Sequence, residues 1–419
     1  MKVLYDISVL GYGHQVARAR TGVFRVVEEV ALGLAGRREV ELHLCASEAP
    51  ELALGYLRDA PALAAKPLAM RAGRRALYAR LLGLTERVDA SSGLGALPWR
   101  AARKPLHLLC RALDPLDDRA VRAADLYHSP FFALPARVRR AARLARFLTV
   151  YDLIPVKFPH YFAFGEDAVV RRALASLGPE DWALCISEHT RRDLLDHRRD
   201  LDPARVLVTP LAAAPHFHPC DHPGVMKRVR ERYGLPREPY LLSLCTLEPR
   251  KNIEAAVRAF ARLAHGGEFA GLSLVLVGTR GWKFDGIFES IGGLRELRDR
   301  VVVTGYVADS DLSAIYTGAR MFVYPSHYEG FGLPVLEAMQ CGVPVVCSDA
   351  SSLPEVAGDA ALLVPPTDEE ALCGALLRLH RDDALRAELS RRALARAATF
   401  SWEKTAEATV AAYRRALAE

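Results

Sequence analysis

The sequence lacks the patterns that would place it in a membrane or in a disulfide-bonded scaffold. No apolar run approaches the roughly 20 residues that a helix needs to cross a bilayer. The 8 cysteines include no C-x-x-C pair and no regular spacing, so we expect buried thiols in a reducing compartment. The first residues, MKVLYDISVL, carry one lysine and no processing site, which predicts a first strand and not a signal peptide. These absences predict a cytoplasmic protein.

Motifs for several other chemistries are missing or incomplete. GYGHQV at 11–16 begins like a dinucleotide-binding loop, but Val16 stands where the third glycine belongs. No phosphate-binding loop with its lysine occurs, which disfavours ATP chemistry. Asp309 and Asp311 imitate a D-x-D metal motif, yet they precede a helical pattern, so we interpret Asp309 as a helix cap. The histidines and the cysteine at 216–222 have no second cluster, and we expect no metal site.

Positive charge is concentrated in part of the chain. The net charge is only +6, but 11 basic residues face 3 acidic ones between Arg58 and Arg111. Five arginines follow between Arg137 and Arg146. A solvated, Arg-rich surface is the simpler interpretation, and a face that contacts anionic lipid or an acidic acceptor is the alternative. No interleaved aromatics or reading motif accompany the charge, so nucleic acid is not an expected partner.

Short apolar strands alternate with amphipathic helices along the 419 residues, which predicts an α/β protein with parallel sheets. HFHPCDHPG at 216–224 interrupts this pattern and is a predicted linker. We therefore expect two Rossmann-like domains facing across a cleft, at 1–215 and 225–398. A C-terminal helix at 399–419 is expected to pack back towards the first domain. Ligands of such sheets bind beyond the carboxyl ends of strands.

The stretch MFVYPSHYEGFGLPVLEAMQCG combines a buried strand, a glycine loop and a helix start. Gly330 and Gly332 allow a ligand to approach the backbone closely and allow positive φ. The N–H groups at a helix start are suited to holding a diphosphate. Glu329 and Glu337 would then contact hydroxyl groups on either side of the phosphates. This arrangement is the outline of a nucleotide-sugar site.

The same stretch, E-G-F-G-L-P-V-L-E at 329–337, resembles the E-x7-E element of retaining glycosyltransferases of family 4, which have the two-Rossmann GT-B architecture. The resemblance covers nearly the whole chain apart from about 50–120, and it rests on these further segments: LSLCTLEPRKNIEAAVRAF, VVVTGYVADSDLSAIYTGA, CGVPVVCSDASSLPEVAGDAALLVPP, RTGVFRVVEEV, DLYHSPFFALP, TVYDLIPVKFPHYF and CISEHTRRDLL. Within the family, the sequence resembles bacterial polysaccharide and O-antigen mannosyltransferases.

The resemblance implies a retaining, metal-independent hexosyltransferase without a cofactor. Its donor would be a nucleotide sugar, GDP-mannose or a UDP-sugar, with mannose favoured. Its acceptor would be a saccharide or a lipid-linked oligosaccharide, joined in an α-linkage. Peripheral contact with an anionic membrane would then explain the basic segment.

The resemblance also assigns roles to individual residues. Lys251 and Arg250 would neutralise the donor diphosphate, Glu329 would contact the sugar, and Glu337 would contact the ribose. The other implied donor-binding residues are Gly330, Phe331, Gly332 and Leu333 at the phosphates, Tyr306 and Val307 at the nucleobase, and Gly22 under the phosphates and acceptor.

Two positions depart from the family pattern. Tyr151 stands where many relatives have a histidine that contacts the transferred sugar, whereas Asp152 beside it is kept. Thr246 stands where relatives often have an arginine. His128 is a further candidate for the cleft. Because of these departures, a catalytically silent sugar-nucleotide-binding partner of another transferase stays open. Among enzymes, the alternative is a two-Rossmann nucleotide-sugar epimerase or a phosphorylase.

Overall fold

The computed structural model describes residues 1–15, 22–90, 115–162, 165, 167–244, 248–278 and 297–419. They form two six-stranded sheets, one in each half of the chain, and every strand pairing is parallel. The strands of the first sheet are Lys2–Asp6 (β1), Glu41–Cys45 (β2), Leu126–Ser129 (β3), Ala145–Val150 (β4), Trp182–Cys185 (β5) and Val206–Val208 (β6). Those of the second are Tyr240–Leu244 (β7), Ser273–Val277 (β8), Val301–Gly305 (β9), Met321–Tyr324 (β10), Val345–Ser348 (β11) and Ala361–Val364 (β12).

Helices connect the strands and cover both faces of the sheets. In the first half they are Ser8–Gln15 (α1), Gly22–Ala35 (α2), Pro50–Asp59 (α3), Pro61–Ala64 (α4), Ala72–Ala90 (α5), Asp118–Ala123 (α6), Ala136–Arg139 (α7), Ile154–Lys157 (α8), Ala168–Ser176 (α9) and Glu188–His197 (α10). In the second half they are Pro223–Tyr233 (α11), Ile253–His265 (α12), Asp309–Gly318 (α13), Leu333–Gln340 (α14), Leu353–Ala357 (α15), Glu369–Arg381 (α16), Asp383–Ala397 (α17) and Trp402–Ala418 (α18).

The strand order confirms the predicted GT-B class of α/β fold. The first sheet runs β2-β1-β3-β4-β5-β6, and the second runs β12-β11-β10-β7-β8-β9. The second order is that of a dinucleotide-binding Rossmann sheet. Successive strands are added on one side of β7 up to β9 and on its other side from β10 onwards, so the switch point lies between β7 and β10. All four residues of β10 are 0% exposed. Helices on both faces of the sheet explain why this strand is a continuous apolar run.

The structure corrects the prediction of a strand over all of MKVLYDISVL. Strand β1 ends at Asp6, and α1 begins at Ser8. The Asp6 carboxylate accepts hydrogen bonds from the backbone N–H of Ser8, at 2.8 Å, and from its hydroxyl. This local turn stops the strand, because a short acidic side chain competes with the ladder for backbone donors. Strand β12 is an element that the alternation pattern did not predict.

The C-terminal helix α18 packs against α2 in the first half of the chain. A Cβ atom on Gly33 would lie 2.7 Å from the Cβ of Ala406, so the two helices touch at a position that only glycine allows. Tyr413 of α18 is fully buried against His128 and Phe147 of the first sheet, and the Thr405 hydroxyl donates to the Pro210 carbonyl oxygen at 2.6 Å. Among the helices in the described part of the chain, none combines the length and apolar character that crossing a bilayer requires.

Candidate active site

The site forms where two neighbouring strands of the second sheet end. Strands β7 and β10 pair at the point where the strand order reverses, and ligands of open parallel sheets bind at that point. The chain after β7 leads into a 3-10 turn at Pro249–Lys251. The chain after β10 leads through Glu329 into α14. The topology therefore brings the two cations and the glutamate of the sequence prediction to one edge.

Glu329 binds both cations directly. Its Oε1 lies 2.7 Å from Lys251 Nζ, and its Oε2 lies 2.8 Å from Arg250 Nη1. Tyr324 and Ser326 donate their hydroxyls to Oε1 at 2.9 and 2.7 Å. The side chains of Glu329, Arg250 and Lys251 are only 9, 10 and 12% exposed. This is a nearly buried cluster of two cations and one carboxylate, and the more exposed Glu248 also contacts Arg250 at 3.2 Å. The buried Nε of Arg250 has no hydrogen-bond partner within the described residues, so it is available to donate to an anionic ligand.

The electrostatics of Glu329 follow from this pairing. Burial alone would raise the pKa of the Glu329 carboxyl, but Lys251, Arg250 and the hydrogen bonds outweigh burial and lower it to about 2. In return, Glu329 raises the pKa of Arg250 above its usual range although burial opposes it. Glu329 is therefore an ionised hydrogen-bond acceptor at neutral pH and cannot serve as a general acid there.

Helix α14 begins directly beside this cluster. Gly332 has a φ of 110°, which favours glycine, and Leu333 opens the helix with Pro334 in its first turn. Gly330 does not share the positive φ that was predicted for both glycines. It is required for another reason, because a Cβ there would lie 2.5 Å from the Tyr151 carbonyl oxygen of the opposite domain.

Glu337 lies one turn into α14 and contacts both halves of the molecule. Tyr316 donates its hydroxyl to Glu337 Oε2 at 3.0 Å, and Arg25 Nη1 lies 3.3 Å from Oε1. Arg25 Nη2 also contacts Asp309 Oδ2 at 2.6 Å. Burial raises the pKa of Glu337, and Arg25 partly offsets that effect. Asp309 is the first residue of α13 and not the predicted cap, because Ala308 occupies the cap position.

The first domain contributes a largely apolar cavity of about 290 Å³ beside Arg250. Its lining includes Phe131, Tyr151 and Asp152. The Tyr151 hydroxyl is buried, and it has no hydrogen-bond partner among the residues that the structure describes. Asp152 Oδ1 accepts from the Ile154 backbone N–H at 2.9 Å, and burial raises the pKa of its carboxyl. The first domain thus contributes one phenol and one carboxylate to an apolar wall, and Glu248 and Arg250 of the second domain complete the lining.

His128 lies beneath this cavity and not in it. It is 1% exposed, with Nδ1 2.6 Å from the Tyr413 hydroxyl and Nε2 2.8 Å from Thr149 Oγ1. Burial lowers its pKa to about 3, so the ring is neutral at physiological pH. Thr149 does line the cavity, and His128 therefore supports the wall through it.

The remaining predicted residues surround the same edge. Tyr306 is 62% exposed and Val307 is buried, directly before α13. Gly22 opens α2, and a Cβ on it would lie 3.4 Å from Leu333 across the cleft. Phe331 is 6% exposed, next to Gly332. Thr246 lies outside the described residues.

Sequence reasoning missed four residues of this site: Arg25, Tyr316, Tyr324 and Ser326. Tyr324 and Ser326 lie within five residues of Glu329, so their proximity to it was a usable signal. Arg25 gave a weaker signal, because it is separated from Glu337 by 312 positions and only its place one turn after Gly22 points to the cleft.

Two facing Rossmann-like domains, with an E-x7-E pair and buried cations at the switch point of the second sheet, define a GT-B glycosyltransferase. A family model for "Glycosyl transferases group 1" matches residues 226–396. The chain is 39% identical over 292 residues to O-antigen chain mannosyltransferase B of Escherichia coli, covering 69% of this chain and 74% of that protein. The chain belongs to the group 1 glycosyl transferase family.

Two further comparisons extend this result. The serotype-specific mannosyltransferase WbdA of Escherichia coli is 32% identical over 245 residues, which cover 58% of this chain and 30% of that much longer protein. The structure of sucrose-phosphate synthase from Thermosynechococcus elongatus covers 100% of this chain, and 99% of its own chain is matched, with a TM-score of 0.63 and 21% identity. The structural likeness concerns the fold alone.

Proposed function

We propose that the protein is a retaining mannosyltransferase that moves mannose from a nucleotide sugar, with GDP-mannose favoured, to a saccharide or lipid-linked saccharide acceptor. The observation that carries the proposal is the Glu329 carboxylate between Lys251 and Arg250, at the start of α14. The names of the Escherichia coli relatives support mannose as the sugar and an O-antigen chain as the acceptor.

In the proposed reaction the bond between the sugar C1 and the leaving phosphate oxygen breaks, and a bond between C1 and an acceptor hydroxyl oxygen forms on the same face. The acceptor proton passes to the leaving phosphate, so no side chain has to act as a base. Lys251 and Arg250 stabilise the negative charge that develops on the diphosphate. Glu329 orients the sugar hydroxyls, and Glu337 orients the ribose. No metal is required in this scheme.

The apolar cavity next to Arg250 is the proposed place for the transferred sugar and the acceptor end. The Tyr151 hydroxyl is buried without a partner in the described part of the chain, so it is available to donate a hydrogen bond to a sugar hydroxyl. Because burial raises its pKa, Tyr151 stays a neutral donor. Exclusion of water by this wall would protect the donor from hydrolysis.

The test is to incubate the protein with GDP-mannose, with and without octyl α-mannoside as acceptor, and to measure GDP release. We expect GDP release that depends on the acceptor. The one-bond coupling between C1 and H1 of the transferred mannose should show an α-linkage. Lys251→Ala and Glu337→Ala should each lower turnover at least tenfold, about 1.4 kcal/mol in the barrier. Lys227→Ala, at an exposed position on α11, is the matched control and should leave turnover unchanged.

Four outcomes would contradict the proposal. A β-linked product would exclude retention, and full activity of both variants would remove the assigned site. Binding of GDP-mannose without transfer to any mannoside would favour the silent sugar-nucleotide-binding alternative. Conversion of the sugar nucleotide without acceptor would favour an epimerase.

A further inference from the structure

A hollow of about 540 Å³ lies at the edge of the second sheet that is opposite to the transferase site. Its lining includes the residues directly before three strands: Pro239 before β7, Arg320 before β10 and Pro344 before β11. The transferase site, in contrast, forms where β7 and β10 end. Strand β7 has 5 residues and spans about 16 Å at about 3.3 Å per residue. The hollow is therefore separate from the transferase site.

Arginines from four separate segments converge on this hollow. They are Arg230 on α11, Arg237 in the loop before β7, Arg320 directly before β10 and Arg386 on α17. The described lining sets two carboxylates against them, Glu238 and Asp383. The hollow therefore has a surplus of two positive charges at neutral pH.

Two of the arginines have a structural role. Arg320 Nη2 and Arg386 Nη1 donate to the His380 carbonyl oxygen at 2.9 and 2.8 Å, in the last turn of α16. Carbonyl groups at the end of a helix have no partner within the helix, so these arginines satisfy one of them. Both arginines also contact Asp383, Arg320 at 3.4 Å. The Nε of Arg320 is nevertheless buried without a hydrogen-bond partner among the described residues, so one donor remains.

Arg230 and Arg237 have no such role. Within the part of the chain that the structure describes, neither side chain has a hydrogen-bond or ion-pair partner. Arg230 is half-buried in the last turn of α11, and Arg237 is exposed. The dipole of α11 favours a cation at its end, which accounts for Arg230 in part. It does not account for Arg237 or for the convergence of both on the structural arginines.

The positive charge of the hollow is not fully compensated within the protein. Burial and the nearby charge of Arg320 lower the pKa of Arg386 from its ordinary value. Burial, Arg320 and Arg386 also lower the pKa of His380. Like charges that repel each other in this way are stabilised when an anion lies between them.

The lining also indicates which anion fits. Guanidinium groups bind phosphate oxygens through paired N–H donors, which gives geometric specificity that an ammonium group lacks. The described lining offers no aromatic side chain for a nucleobase and no large apolar side chain for a hydrocarbon tail. Its volume and its two surplus charges exceed what a single phosphate needs. The chemistry is therefore that of a diphosphate.

We propose that this hollow binds a diphosphate group, either as inorganic pyrophosphate or as part of a small metabolite. Arg230, Arg237 and the Nε of Arg320 supply the donors. The proposal rests on the arginines at the amino ends of the second sheet and does not depend on the transferase reaction.

The test is calorimetric titration of the whole protein with inorganic pyrophosphate. The natural protein should show two sites, because the transferase site is also proposed to take a diphosphate. Arg230→Gln/Arg237→Gln should weaken one site at least about tenfold, and Lys251→Ala should weaken the other. Lys227→Gln/Arg228→Gln removes the same charge elsewhere on α11 and should change either affinity less than about twofold. Glu238→Gln, which removes an exposed carboxylate from the lining, should tighten binding.

Two further arms identify the ligand. Inorganic phosphate should bind the hollow at least about tenfold more weakly than pyrophosphate, because it engages fewer donors. GDP is titrated into Lys251→Ala, with and without the Arg230 and Arg237 changes. GDP binding that depends on these arginines assigns a nucleotide-borne diphosphate, and binding of pyrophosphate alone assigns the free ion.

The outcomes separate this inference from the proposed function. The absence of a pyrophosphate site that depends on Arg230 and Arg237, equal losses in the two double variants, or equal affinity for phosphate and pyrophosphate would overturn the inference. Melting curves verify that each variant is folded. A site that the Arg230 and Arg237 changes remove, with no effect of Lys251→Ala, would contradict the proposed role of Lys251 and leave this inference standing.

Discussion

At the scale of single residues, the site depends on one carboxylate that two buried cations hold ionised. Glu329→Gln keeps the shape of the side chain but leaves Lys251 and Arg250 facing a neutral amide. Because removal of one partner leaves uncompensated buried charge, we expect the free energy of unfolding at pH 7 to fall by about 3 kcal/mol. Glu248→Gln is the control, since Glu248 also pairs with Arg250, at 3.2 Å, but is 43% exposed. Glu248→Gln should lower the free energy of unfolding by less than about 1 kcal/mol.

The difference in unfolding free energy between the natural protein and Glu329→Gln should depend on pH. The folded pKa of Glu329, about 2, lies below its ordinary value of 4.5, so ionisation stabilises the folded state above the ordinary value. That contribution is lost as the pH falls from 4.5 towards 2. The stability gap between the natural protein and Glu329→Gln should therefore be constant between pH 8 and 6 and narrow below pH 4.5. Thermal melts across this range measure it, and a gap that does not change with pH would contradict the assigned pairing.

At the scale of elements, the loop from β10 to α14 is fitted closely against the first domain. The Gly330 carbonyl oxygen accepts from the hydroxyls of Ser187, at 2.8 Å, and Thr190, at 3.2 Å. In Gly330→Ala the new Cβ meets the Tyr151 carbonyl oxygen, which is backbone and cannot yield. We expect the loop to move away from the first domain and kcat/KM for the donor to fall at least tenfold, about 1.4 kcal/mol.

Gly374→Ala is the matched control for this change. Gly374 lies within α16 with no atom near the position of a new Cβ, so alanine there should raise stability slightly, by up to about 1 kcal/mol, without affecting turnover. Full activity in Gly330→Ala would show that close contact between the loop and the first domain is dispensable.

The same elements show what the sequence could and could not predict. Local patterns were sufficient for the strand, loop and helix around Glu329, because glycines and apolar runs act within a few residues of themselves. The role of Lys251 and Arg250 after β7 came from the resemblance to the family and not from local patterns. Local patterns predicted a positive φ at Gly330, which the structure does not have, and they could not predict its close contact with Tyr151, because Tyr151 is distant in sequence. Strand β12 was missed because ALLV is short and only one of its four residues is buried.

At the scale of the whole molecule, polar contacts across the cleft join the two domains. Tyr328 donates to Asp193 and accepts from Lys157 Nζ at 3.0 Å. Glu355 accepts from the first backbone N–H groups of α10 at 2.8 and 2.7 Å, a favourable position for a carboxylate at a helix start. These contacts surround the Glu329 cluster, so the relative position of the domains determines the geometry of the site.

Arg25 is the contact that links domain position to donor binding, because it reaches from α2 to Glu337 and Asp309. Arg25→Met keeps the length of the side chain and removes the charge that partly offsets the effect of burial on Glu337. The pKa of Glu337 should then rise further above its ordinary value, and the carboxyl should protonate at a higher pH. We therefore expect KM for GDP-mannose to rise in the variant, and to rise more steeply than in the natural protein as the pH is lowered from 8 towards the ordinary value of 4.5. Arg228→Met, on exposed α11, controls for loss of charge.

Because the ion pairs of Arg25 with Glu337 and Asp309 also hold the domains together, X-ray scattering should show a larger radius of gyration for Arg25→Met than for the natural protein or Arg228→Met. An unchanged KM and an unchanged radius would mean that these two ion pairs contribute to neither closure nor donor binding.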